Sequence, residues 1–203
     1  MILSYRHRFI FIKTNKAAGT SVEIALSEIC GPDDVITPIL EDRDGTVMRT
    51  VGPQNHRDFR PHMSLARVQN QVGEKIVDSF FKFCVVRNPW DRAVSFYFWR
   101  KGERSITFSE FIRTPAIEIL AARGRDLYTL DGRPRMDFFV RFEQLNEDLQ
   151  HVASTLGIGP ISIPNAKSGV RPPASYRQHY RDGDAEIVRE LCKEEIEQFN
   201  YSF

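Results

Sequence analysis

The chain has 203 residues, 41% hydrophobic and 27% charged, with a formal net charge of +1. Its length and balance predict one globular domain over residues 1–203 with a proper buried core. The near-zero charge argues against bulk electrostatic binding to nucleic acid or an anionic membrane, so any anion site must be local.

Residues 8–12 predict a first buried strand. The stretch "FIKTNKAAGTS" then turns into a helix, for which Thr20 and Glu23 have capping-box spacing. Val22, Ala25, Leu26 and Ile29 share one side of that helix, and Gly31-Pro32 ends it. Residues 33–61 read as irregular connections with a short strand near 48–51, and residues 64–72 as a helix. "FFKFCVV" gives a second buried strand over 80–86. Asn88 caps the next helix, 90–100, with Pro89 in its first turn.

Residues 107–122 predict a helix, 124–136 a loop with some strand, 138–142 a third strand, and 144–156 a helix. A long loop over 157–183 precedes a last amphipathic helix over 184–199. Strands alternating with helices predict a three-layer, P-loop-like α/β domain with a mostly parallel central sheet flanked by helices. Ligands in such sheets sit at the carboxyl ends of the strands. Segments 13–21 and 87–95 both fall at such ends.

The first of these segments has the parts of a phosphate site. Helix-start amides attract anions, Gly19 permits close approach, Thr20 and Ser21 add hydroxyls, and Lys16 adds a cation. The order differs from the common nucleotide loop ending Gly-Lys-Ser/Thr, because the lysine precedes the glycine. The alternative is a cap at Thr20 and a solvated Lys16. In "VVRNPWDRAVSFYFW", Arg87 closes an apolar strand, and Arg92 and Ser95 share a helical face. Arg87 and Ser95 are candidates for a second phosphate, against a structural Arg and a packed Ser. Trp90 and the aromatics at 96–99 read mostly as core.

These two stretches, with "VRFEQLNEDLQHVASTLGI" and "FNYSF", resemble the carbohydrate-type sulfotransferases of the sulfotransferase-2 family. The resemblance implies 3′-phosphoadenosine 5′-phosphosulfate as donor and a carbohydrate or glycoconjugate hydroxyl as acceptor. It implies that Lys16, Ala18, Gly19, Thr20 and Ser21 line the loop for the 5′-phosphosulfate, and that Arg87 and Ser95 take the 3′-phosphate. Asn15 and Ala17 depart from the family pattern, which commonly has Pro and a hydroxyl or small residue there. A lysine ahead of the glycine can reach the oxygen bridging phosphate and sulfate, where charge develops as the bond breaks. No metal is expected.

The acceptor hydroxyl needs a base. His56 and His62 lie in the connection leading to the 64–72 helix; the resemblance favours His62, because family members often carry a histidine just before that helix. His7 and His151 read as structural. The late loop holds Lys167, Ser168, Arg171 and Arg177, and either closes over the donor or stays a solvated basic loop.

Cys30, Cys84 and Cys192 fit neither a disulfide framework nor zinc spacing, which predicts a reducing, cytoplasmic setting. No segment reaches the ~20 apolar residues of a membrane span, so membrane association would come through the acceptor. The rival readings are a P-loop phosphotransferase and a non-catalytic nucleotide- or glycan-binding protein of the same fold. Acceptor identity and oligomeric state are not legible.

Overall fold

The computed structural model describes residues 1–39, 52–100, 106–163 and 175–203. The expected strand near 48–51 lies outside them, as do Lys167, Ser168 and Arg171. The chain divides into two compact units, Met1–Val86 with Asp126–Ala166, and Arg87–Arg125 with Lys167–Phe203.

The first unit is built on a five-stranded sheet of β1 (Ile2–Ser4), β2 (Phe9–Ile12), β3 (Val35–Ile36), β4 (Phe81–Val86) and β7 (Phe138–Arg141). Their order is β3-β1-β2-β4-β7. β2, β4 and β7 pair in parallel, Ile12 opposite Cys84 and Phe83 opposite Phe138. β1 runs antiparallel to both β2 and β3, so it alone is reversed. The protein is therefore a mixed α/β fold with a mostly parallel sheet. A small hairpin, β5 (Thr129–Leu130) with β6 (Arg133–Pro134), stands apart from it.

β2 and β4 read as near-continuous apolar runs because both faces of a central parallel strand are covered. Phe9, Phe11, Phe83, Val85 and Val140 join a core with Val22 and Leu26 of α1 (Gly19–Ser27) and with Leu149 and Val152 of α7 (Leu145–Leu156). The alternate residues Ile10, Ile12 and Cys84 are also fully buried. Phe83 lies between rings, 5.3 Å from Phe11 and 5.7 Å from Phe9. Lys82 interrupts the run, and its ammonium is held by Asp137 at 2.7 Å.

Ser64 caps α2 (Leu65–Val72) as expected, accepting from the Arg67 amide, and a further short helix, α3 (Glu74–Ser79), follows. The third strand ends at Arg141, whose amide bonds the Asp148 carboxylate at 2.6 Å, and a 3-10 turn leads into α7.

In the second unit α4 (Pro89–Arg100) begins with Asn88 accepting from the Trp90 amide at 3.1 Å. The expected helix over 107–122 is two helices. Thr107 and Glu110 form a capping box on α5 (Phe108–Phe111), and Pro115, which cannot continue a helix, starts α6 (Pro115–Asp126) instead. The last helix also divides, into α8 (Asp184–Leu191) and α9 (Lys193–Phe199), where Cys192 leaves helical geometry at φ −113°. Trp90 ties this unit together: its indole donates to the Ala185 carbonyl at 2.9 Å, and its ring meets Phe203 edge-on.

All three cysteines are free thiols, and Cys84 is fully buried in β4. Burial pushes the Cys30 thiol up to about 12 and raises Cys192, so neither is poised as a nucleophile. Among the described residues no helix is long and apolar enough to cross a membrane.

Arg92, which by spacing shares a helical face with Ser95, is buried and forked onto the Glu195 carboxylate, one contact at 2.8 Å. Its guanidinium also explains Gly124, where an added Cβ would lie 2.9 Å from Nη1. Both partners are almost fully buried. Arg92→Ala should therefore lower unfolding free energy by ~3–5 kcal/mol by stranding Glu195, while Arg92→Met with Glu195→Leu recovers most of it. Urea denaturation of the two variants checks this.

Candidate active site

The loop between β2 and α1 starts at a buried lysine. Lys13 is 5% exposed, and its Nζ lies 2.5 Å from Glu23 Oε2 on α1. The other carboxylate oxygen accepts from Thr37 Oγ1 at 2.9 Å and from the Met1 amine. Burial alone would raise the Glu23 carboxyl, but the Met1 amine and Lys13 more than offset it and hold its pKa down. Thr14 then anchors the loop to the sheet, its hydroxyl donating to the Val85 carbonyl at 2.5 Å.

Beyond Thr14 the backbone is strained. Lys16 and Ala18 both adopt left-handed conformations, φ 60° and 58°. Each costs about 1–2 kcal/mol for a residue with a Cβ, and such outliers gather where a site dictates backbone shape. α1 then starts at Gly19 with Ala18 as its N-cap and no side-chain cap. The expected Thr20–Glu23 capping box does not form, because Glu23 points inward to its buried cations. The first-turn amides of α1 therefore have no capping side chain as partner and are suited to an anion. Gly19 is required by space: a Cβ there would lie 2.9 Å from Lys13 Cγ and 3.3 Å from the Thr14 carbonyl oxygen. Thr20 is half-buried and Ser21 buried in that first turn.

His62 joins this loop from the connection before α2. Its Nδ1 lies 2.9 Å from the Lys13 carbonyl oxygen, at φ 56°. A carbonyl only accepts, so Nδ1 carries the proton and Nε2 keeps the basic lone pair. Desolvation of the ring, then the nearby Lys13 ammonium, push its pKa down to about 4. The residue as a whole is exposed, which tempers that desolvation. The lowered pKa means a neutral imidazole at physiological pH. His56 is half-buried in a local turn, its carbonyl accepting the Phe59 amide at 2.5 Å. His7 bonds the Ile29 carbonyl, a structural role, and His151 is exposed on α7.

Arg87 follows directly on β4. It is 9% exposed, and Asp91 holds it, with Nε and Nη2 at 2.8 and 2.7 Å from Oδ2. Ser95 is half-buried on α4, two turns further along. Arg177 stacks over the Tyr176 and Phe203 rings, at 5.4 and 5.8 Å.

The Lys13–Glu23 pair was missed because Glu23 fits a capping box. The available signal was a lysine at the end of a fully apolar strand, a poor place for a solvated charge.

A model of the sulfotransferase family matches residues 1–202, nearly the whole chain. The chain belongs to the sulfotransferase family. It is thus a transferase that moves sulfuryl groups. An uncharacterised protein of Archaeoglobus fulgidus is 31% identical over 97 residues, 45% of this chain and 79% of that protein. The crystal structure of a sulfotransferase from Alicyclobacillus acidocaldarius aligns at a TM-score of 0.42 and 18% identity, covering 96% of this chain and 98% of that one.

Gly19→Ala tests the loop. The methyl group must displace Lys13, and with it the Glu23 pair, so the variant should lose ~1–3 kcal/mol of stability. Sulfotransferase activity should fall more than the remaining folded fraction accounts for. Thermal melts and rates at a temperature where the variant stays folded check both.

Proposed function

We propose that this sulfotransferase moves a sulfuryl group from 3′-phosphoadenosine 5′-phosphosulfate to a hydroxyl of a carbohydrate or glycoconjugate. The observation that carries the reading is His62, whose Nδ1 lies 2.9 Å from the Lys13 carbonyl oxygen at the start of the loop that carries Lys16. A base bonded to the strained loop that carries the cation suits in-line transfer, where positioning and charge stabilisation supply most of the catalysis.

In this reading the amides of residues 18–21, with the Thr20 and Ser21 hydroxyls, seat the 5′-phosphosulfate. The acceptor oxygen attacks sulfur, the bond from sulfur to the bridging oxygen breaks, and that oxygen leaves on the nucleotide phosphate. Lys16 stabilises the charge developing there. His62 Nε2 takes the acceptor's proton. A base with a pKa of about 4 is weak, but the donor's negative charge would move the imidazole back toward the working pH. Arg87, preset by Asp91, and Ser95 read the 3′-phosphate.

Lys167 and Arg171, outside the described residues, are further candidates for the donor's phosphates. Residues 1–203 act as one P-loop-like, three-layer domain, supported by a family match that runs through both units. In this reading the protein works in the cytoplasm and meets membranes through a membrane-borne acceptor.

Two measurements test the donor site and the chemistry. Adenosine 3′,5′-bisphosphate should raise the melting temperature more than AMP does, up to ~2.7 kcal/mol of stabilisation at a hundredfold excess over Kd. Arg87→Ala should erase that difference; equal shifts in the parent would remove the 3′-phosphate assignment. In single-turnover assays with saturating donor, His62→Ala should lose ~100- to 10,000-fold and His56→Ala little. Lys16→Ala should slow transfer far more than it weakens binding of the desulfated nucleotide. A His62→Ala rate within a few-fold of the parent would end the assignment of the base.

A further inference from the structure

Within the second unit lies a cleft of about 470 Å³. That volume falls among ligand pockets, which run to roughly 300–1,000 Å³. Ile112, at the end of α5, and Glu118, in the first turn of α6, line it together with α8. α8 contributes Glu186, Ile187, Glu190 and Leu191. Residues four apart share a helical face, so α8 presents two parallel rows, Glu186 with Glu190 and Ile187 with Leu191.

We infer that this cleft docks a basic amphipathic helix of a partner protein. The partner's aliphatic side chains seat on Ile112, Ile187 and Leu191, and its lysines or arginines meet Glu118, Glu186 and Glu190.

The charge is local. α8 and α9 carry six acidic residues against two basic ones, in a chain whose net charge is +1. The cation of the lining, Arg113, is already held by Asp184 at 2.7 Å and by Ser109 Oγ at 2.8 Å. Glu186 makes an exposed pair with Arg189 at 2.8 Å, a contact worth little and readily exchanged. Among the described residues Glu118 and Glu190 have no ion-pair partner.

The apolar lining grades from core to solvent: Ile112 is buried, Ile187 half-buried and Leu191 38% exposed. Two of the four large apolar side chains exposed among the described residues, Ile119 and Leu191, lie on α6 and α8. Carboxylates repel anionic lipid headgroups, which disfavours a membrane surface as the occupant. A second copy in a twofold dimer would set this acidic face against itself. Acidic and aliphatic rows side by side instead match a helix that carries Lys and Leu at the same spacing.

The test titrates a peptide of four Lys-Leu-Ala-Ala repeats into the full chain, followed by methyl NMR and calorimetry. A matched peptide with Glu in place of Lys is the control. The Lys peptide should bind and shift the Ile187 and Leu191 methyl signals, and added salt should weaken it. The Glu peptide should not bind. Leu191→Ala, at an exposed position that folding does not depend on, should weaken binding about tenfold. Glu118→Gln with Glu190→Gln should weaken it about three- to tenfold.

No shift at those methyls, equal binding of the two peptides, or an affinity unchanged in Leu191→Ala overturns the inference. A dimer seen by sedimentation velocity and abolished in Leu191→Ala overturns it by another route, because a second copy then fills the cleft.

Discussion

Glu23 sits fully buried on the first helix, and a carboxylate in that position is costly by several kcal/mol unless opposite charge and hydrogen bonds surround it. Here Lys13, the Met1 amine and Thr37 surround it. The arrangement fixes the end of β2 against the start of α1, and the loop between them inherits its shape. Losing either end of the Lys13–Glu23 pair would leave the other charged and buried. The loop's geometry is therefore over-determined by buried charges beneath it.

That over-determination is what lets strain persist. Lys16, Ala18 and His62 all hold left-handed backbone conformations without being glycine. In a loosely held loop each would relax. Thr14 on the sheet, Lys13 under Gly19 and the ring of His62 on the Lys13 carbonyl remove that freedom. The uncapped start of α1 belongs to the same design: Glu23 turns inward, and the helix amides lack the side chain that would have competed with an anion.

Much of this was legible in residue types. The central strands read correctly because two-sided burial writes itself as unbroken apolar runs, "FIFI" and "FKFCVV". β1 and β3 escaped, being two or three residues long and carrying no periodicity. Lys16, Gly19 and His62 were singled out by spacing and resemblance. Lys13 and Glu23 were not, because local pattern assigns Glu23 to a cap ten residues from the lysine it pairs with. The partner of Arg92 was hidden for a related reason: i and i+3 on a helix share a face, but only tertiary structure shows Arg92 paired with Glu195.

The most direct test of the account is a crystal structure with adenosine 3′,5′-bisphosphate bound. The account predicts its 5′-phosphate on the backbone amides of residues 18–21, with Lys16 Nζ within hydrogen-bond distance. A 5′-phosphate seated elsewhere, with the β2–α1 loop unengaged, would contradict it.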